Sequence, residues 1–249
     1  MKKKIYFCLP TFVVALLMLS ITSCGDDEEN NPEVINNNRV DAVDLGLPSG
    51  TLWATCNIGA SKPEEFGDYF AWGETVGFNN GKKEFGMIDG KGNAIYRWLN
   101  ISWEDKTPIL TLTKYNTDGS KGAIDNIIEL ALEDDAAFVN WGDGWRMPSY
   151  EQFRELLNNC DVEWITFNGV NGRKITSTKN GNSIFLPAAG KREGKLHVDG
   201  GSHGYYWTRT LNDKSPSAAY DMNFSSNNQR TSHSNLREDG QSVRPVRQK

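Results

Sequence analysis

The sequence predicts an α+β fold. Three observations carry that prediction: a capped amphipathic helix near the middle of the chain, a shorter acid-opened helix before it, and turn-separated strands filling the chain after Cys160. Helices and antiparallel strands that occupy separate stretches, rather than alternating, define this class.

The first residues are read as an export signal rather than as structure. Lys2, Lys3 and Lys4 form a basic n-region, and Ile5 to Leu19 is an apolar run broken once by Pro10. That run is short for a membrane-spanning helix and suits a secretory signal peptide over 1–23. Ile21-Thr22-Ser23-Cys24 resembles a bacterial lipobox, so Cys24 is the expected lipidation site and first mature residue. Gly25-Asp26-Asp27-Glu28-Glu29 resembles the acidic tag that sends lipoproteins of Bacteroidota to the outside of the outer membrane. Residues 24–39 continue as an Asn-rich acidic and polar tether, too poor in apolar side chains to fold.

Residues 40–249 form one domain's worth of chain. Loss of the signal removes three of the 27 basic residues, leaving 24 against 32 acidic ones and a formal charge of −8. That balance excludes nucleic acid and anionic membrane surfaces as partners, so the Cys24 lipid is the only expected membrane contact. Cys56 and Cys160 are the remaining cysteines. In an oxidising compartment they are expected as a disulfide closing a loop of about a hundred residues, which contributes ~4–5 kcal/mol in the chain-entropy account. Two buried thiols are the alternative, because spacing does not establish connectivity.

Val43 to Gly46 and Thr51 to Thr55 read as short strands around a Leu47-Pro48-Ser49-Gly50 turn, and Asp68 to Gly73 is an aromatic run ended by glycine. Glu64 and Glu65 are adjacent in a loop, where carboxyls point apart, so they do not form a glycosidase pair. Residues 74–115 are interrupted by five glycines and read as irregular surface loops packed by Tyr96, Trp98 and Trp103. A calcium-loop echo over 113–125 fails at its first position, where Lys114 stands, and is read as a polar turn. No metal or cofactor is expected.

Glu133, Asp134 and Asp135 open a short helix through Val139, acids in a first turn being favoured by the helix dipole. Trp141 to Pro148 then forms a glycine-held clamp. Ser149 and Gln152 have the spacing of a capping box, and Phe153, Leu156, Leu157 and Cys160 fall on one stripe of the helix that follows. Beyond it, Asn180-Gly181 predicts a type I′ hairpin between 175–179 and 182–186, with further turns at Asn168-Gly169 and Asn171-Gly172. Tyr205 to Thr208 and Ala218 to Phe224 read as strands, and Pro245 marks a closing edge strand.

Several stretches in order resemble the Fibrobacter major paralogous domain family: Val43 to Gly50, Trp53 to Ala60, Gly67 to Glu74, Glu133 to Ala137, Trp145 to Pro148, Asn182 to Gly190, Gly204 to Trp207 and Ser242 to Val246. The resemblance implies a C-type-lectin-like fold, with paired terminal strands, two helices flanking antiparallel sheets, and long loops that present a variable surface. Relatives often carry Lys-Tyr-Cys where this chain has Lys114-Tyr115-Asn116. The Glu-Pro-Asn, Gln-Pro-Asp and Trp-Asn-Asp motifs of calcium-dependent sugar binding are absent, so calcium-mediated recognition does not carry over.

Catalysis is not expected. Gly200-Gly201-Ser202-His203-Gly204 spells a nucleophile-elbow pattern, but a strand follows it where the elbow needs a helix. His197, His203 and His233 lack metal-ligand spacing and read as exposed loop residues. The expected site is a binding surface made of Tyr206, Arg209, Asn212, Asp213, Asn223, Asn227, Asn228, Arg230, Ser232, His233, Asn235 and Arg237. Its expected partner is an extracellular glycan or protein, which makes the chain an adhesion or recognition module on the cell surface. A structural coat or fimbria-associated subunit is the alternative, and a hydrolase accessory a weaker one.

Overall fold

The computed structural model describes residues 41–249. The expected signal peptide, the expected lipidation site at Cys24 and the expected tether all fall outside the described residues.

The α+β expectation is overturned. Strand accounts for 38% of the structure and helix for 12%, and the strands form several small antiparallel sheets. The lectin-like arrangement of sheets flanked by two helices falls with it. The physical reason is the length of the helices. α1 (Ala136–Trp141) and α2 (Tyr150–Asn158) are each too short to build a layer, and they serve as plugs against sheets.

α2 nevertheless starts where its cap places it, whereas the acids expected in the first turn of the other helix precede it: Glu133 and Asp134 lie in a 3-10 turn (Leu132–Asp134) and Asp135 is the N-cap of α1. Ser149 Oγ accepts from Gln152 N at 3.1 Å, and Gln152 Oε1 accepts from Ser149 N at 2.9 Å, the reciprocal box that satisfies two exposed donors. Phe153 and Leu156 are fully buried, but Cys160 lies past the helix and opens a strand. Asp135 caps α1 through Ala137 N and Phe138 N, and also accepts from Arg146 Nε and Met147 N. One buried carboxylate thereby ties the helix to the clamp. In that clamp Trp141 and Trp145 meet edge to face, with ring centroids 5.1 Å apart.

The terminal sheet runs β1 (Ala42–Asp44), β2 (Thr51–Ala54), β13 (Val246–Gln248), so β2 joins the strands nearest the two ends of the described chain. A hairpin of β3 (Leu99–Glu104) and β4 (Thr107–Leu112) lies inside the stretch expected to be irregular. Its turn, Asp105-Lys106, takes positive φ at both residues without a glycine, which is why turn chemistry did not announce it. Tyr96 is buried as expected, whereas Trp103 is 54% exposed.

β5 (Cys160–Phe167), β6 (Val170–Ser177) and β7 (Ser183–Pro187) form a meander. The type I′ turn is at Asn168-Gly169, where Phe167 pairs Val170 and both turn residues have positive φ (49° and 82°). At the expected place only Gly181 has positive φ. The connection there is longer, and Ser177 Oγ organises it by accepting from Lys179 N and Asn180 N. Asn171-Gly172 is no turn, since both residues pair within β6. The polar turn expected over 113–125 is present, with the Asp125 carboxylate accepting from Tyr115 N, Asn116 N and Ile127 N.

β8 (Lys191–Glu193) and β9 (Leu196–Val198) form a small hairpin, and the central sheet is β10 (Gly204–Leu211), β11 (Ala218–Phe224), β12 (Gln229–Leu236). This sheet separates two cores. Tyr206, Met222 and Phe224 enter one with Trp53, Phe153 and Leu186. Trp207, Leu211 and Ala219 enter the other with Phe70, Trp72, Tyr115 and Met147. Large side chains buried like these contribute roughly 1.5–3 kcal/mol each. The buried indoles also keep their hydrogen bonds, Trp72 Nε1 donating to Thr208 O and Trp207 Nε1 to Phe70 O, both at 2.8 Å.

The expected Cys56–Cys160 bridge is absent: both cysteines are buried and free. Cys160 packs in the first core, while Cys56 Sγ donates to Ala60 O in a separate turn at 3.2 Å. Burial pushes both thiols up, Cys160 to about 11.

Candidate functional site

The register of the central sheet brings polar side chains into two rows on one face. Tyr205 pairs Asn223, and Asn223 pairs Arg230; one step along, Trp207 pairs Asp221, and Asp221 pairs His233. Between these rows β11 advances two residues and β12 three, which marks a bulge. The extra residue puts Arg230 and His233 on the same face in spite of their odd spacing.

Asp221 is the anchor. Its side chain is fully buried, with His233 Nδ1 2.9 Å from Oδ1 and Asn235 Nδ2 donating to Oδ2 at 2.7 Å. The hydrogen bond to Asp221 raises the His233 pKa above its usual value, against burial and the Arg230 and Lys191 charges, which lower it. Asn235 commits one N–H inward and keeps its carbonyl as an acceptor.

β8 and the Asp199 loop complete the face. Tyr205 donates to Asp199 Oδ2 at 2.7 Å, and Lys191 Nζ sits 5.5 Å from the Tyr205 ring centroid. Lys191 pairs with Glu193 at 2.6 Å and Asp239 at 3.0 Å. Burial by itself would lower the Lys191 pKa, but the two carboxylates outweigh it and the net shift is upward. Burial raises Tyr205 and Asp239. The result is a shelf of cations, carboxylates and amides held at fixed spacings. Such a surface can match the hydroxyls of a polar ligand without reorganising.

Of the expected site residues, Asn223, Arg230, His233 and Asn235 meet on this shelf. Two do not belong to any surface. Tyr206 is fully buried and donates to Pro187 O, because β10 is covered on both faces. Arg237 is fully buried and donates to Tyr96 OH, Tyr115 O, Pro216 O and Lys114 O, so it holds loops together from inside. Arg209 is drawn away by Glu129 at 2.6 Å, Met147 O and Gln152 Oε1. Asn212 bonds Ser234 Oγ, and Asp213 is exposed in the connection between β10 and β11. Asn227 and Asn228 form the exposed turn before β12, which Arg173 pins through three backbone carbonyls. The Ser232 side chain lies outside the described residues.

Sequence reasoning missed Tyr205, Asp221, Lys191 and Asp239. The Tyr220, Met222, Phe224 alternation assigns Asp221 to solvent, and only the elements packed over that face bury it. His203 and His233 are half-buried rather than exposed, and only His197 is as open as expected.

The stretches that carry the family resemblance are mainly interior. Arg244, fully buried, donates from Nε to Asn57 Oδ1 at 2.9 Å and from Nη1 to Ala54 O and Thr55 O. Asp68 accepts from Tyr69 N, Asn79 N and Asn80 Nδ2. These motifs therefore describe how the chain folds and leave the ligand open.

Fold and site together define a β-rich domain with a structured polar face. Residues 161–246, from β5 to the first residue of β13, match a family described as a domain of unknown function, DUF8237. No curated protein and no solved structure matches the chain.

Proposed function

We propose that this chain is a recognition module that holds an extracellular, hydroxyl-rich ligand, a glycan or a glycan-bearing protein, along the β12 edge of the central sheet, where Arg230, His233 and Asn235 reach solvent. The observation that carries the reading is Asp221. A fully buried carboxylate that pins a half-exposed imidazole and a half-exposed amide is costly to desolvate, and it fixes both groups before any ligand arrives. Lipid anchoring at Cys24, export to the outer face of the outer membrane and kinship with the Fibrobacter major paralogous domain family belong to the same proposal, supported by the lipobox-like, acidic and motif stretches. No catalytic role is part of it. Ser202 Oγ lies 3.0 Å from His203 Nδ1 and donates to Asp199 O, but the strand Gly204–Leu211 follows where a nucleophile elbow needs a helix.

The test is binding of the full chain to a glycan array in the presence of chelator, for the natural protein and for Asn235→Ala and His233→Ala. Loss of the bound glycans by variants that remain folded at the assay temperature supports the reading. Full retention of binding by both variants would remove the shelf from consideration. Point variants are required, because deleting 227–235 takes away most of β12.

A further inference from the structure

We infer a second, separate binding site: a groove beside the terminal sheet, centred on Arg247, that takes the carboxylate of an acidic sugar. The groove has a volume of about 660 Å³, within the ~300–1,000 Å³ common for ligand sites. Its lining brings together Arg146, Arg209, Arg247 and Lys249, with Asp143 as the one acidic residue. Three of these cations are paired with carboxylates outside the lining, Asp135, Glu129 and Asp44, which leaves Arg247 as the one without an acidic partner among the described residues.

The guanidinium groups are held in a way that leaves donors over. Arg146 spends Nε on Asp135 at 2.8 Å and Nη2 on Leu130 O at 3.1 Å. Arg209 spends Nε on Glu129 and Nη1 on Met147 O and Gln152 Oε1. Each therefore keeps one terminal nitrogen without an acceptor among the described residues. Arg247 differs, since it lies over the Trp145 ring at 5.1 Å and has no carboxylate or hydrogen-bond partner among the described residues. A guanidinium resting against an indole, with its side-chain N–H groups uncommitted among the described residues, is available for bidentate capture of a carboxylate. Lys249 is already paired with Asp44 at 2.6 Å and adds long-range attraction more than contact.

The remaining lining selects the ligand class. The Asp143 carboxylate accepts hydroxyl donors and repels a second carboxylate next to the first, and the Gln248 amide can both donate and accept. Carboxylates spaced by hydroxyl-bearing rings satisfy that pattern. A run of acidic peptide side chains does not.

The site is independent of the shelf, and the experiment keeps the two apart. Calorimetric titration of the full chain in detergent compares trigalacturonate, neutral galactotriose and a short polyglutamate. Trigalacturonate is expected to bind, with affinity falling as salt rises, while galactotriose is not. Arg247→Gln is expected to weaken trigalacturonate binding about tenfold or more, Arg247→Lys less, and the shelf variant Asn235→Ala not at all. Arg247 is half-exposed, so these variants leave the fold intact, which the thermal midpoint verifies. No binding of trigalacturonate, equal binding of galactotriose, or an unchanged Arg247→Gln variant each overturns the assignment. Polyglutamate binding as tightly as trigalacturonate overturns the sugar in favour of an acidic protein.

Discussion

Arg237 separates the two accounts of this protein most sharply. As a ligand contact, its replacement should abolish binding and leave stability untouched. The structure predicts the reverse. The guanidinium is fully buried, donates four hydrogen bonds of 2.9 to 3.1 Å, and lies 4.9 Å from the Trp72 ring centroid. Arg237→Met preserves most of the volume but strips hydrogen bonds from three backbone carbonyls and the Tyr96 hydroxyl. At about 1 kcal/mol net for each bond the loss is roughly 4 kcal/mol, offset in part because a buried charge no longer has to be desolvated. A destabilisation of about 3 kcal/mol is therefore expected, a large fraction of an ordinary domain's 5–15 kcal/mol. Urea unfolding followed by tryptophan fluorescence measures it directly, Trp72 lying under the substituted side chain. A loss below about 1 kcal/mol at unchanged m-value would refute the reasoning and return Arg237 to the surface.

Three further outcomes are expected. Ser149→Ala removes one arm of the α2 capping box and should cost about 1 kcal/mol, read from the same urea curves; no change would mean the box is redundant with tertiary packing. Cys56 and Cys160 should react with maleimide only in denaturant, and reductant should leave the thermal midpoint where it was, whereas a mass two units lower before reduction would restore the disulfide. His233 titrates with a folded pKa above its unfolded value near 6.5, so the stability it contributes is complete below about pH 6.5 and is lost as pH rises through the folded pKa. The stability gap between the natural protein and His233→Gln should then narrow as pH rises above about 6.5, and a gap independent of pH would show that Asp221 does not hold the imidazolium.

What could be read in advance is what short-range chemistry controls. The start of α2 follows from Ser149 with Gln152, since a cap and its unsatisfied N–H groups lie within three residues of each other. The span Ala218 to Phe224 follows from period-2 alternation, and Asn168-Gly169 from the positive φ that a tight turn needs. The β3–β4 hairpin escaped because Asp105-Lys106 adopts the same backbone without the residues that favour it.

The sequence by itself determined where several of the local elements begin and the acidic charge of the folded part. Only the tertiary structure decided the balance between helix and strand, because the extent of a short element depends on what packs against it. It also decided which polar residues are surface and which are scaffold. Arg237 and Tyr206 look like exposed ligand contacts until the elements on both sides of the central sheet close over them, while Asp221 becomes the anchor of the shelf for the same reason. Burial is a property of neighbours brought in from distant parts of the chain, as when Arg244 meets Asn57 or Arg237 meets Tyr96, and no local pattern in the sequence encodes it.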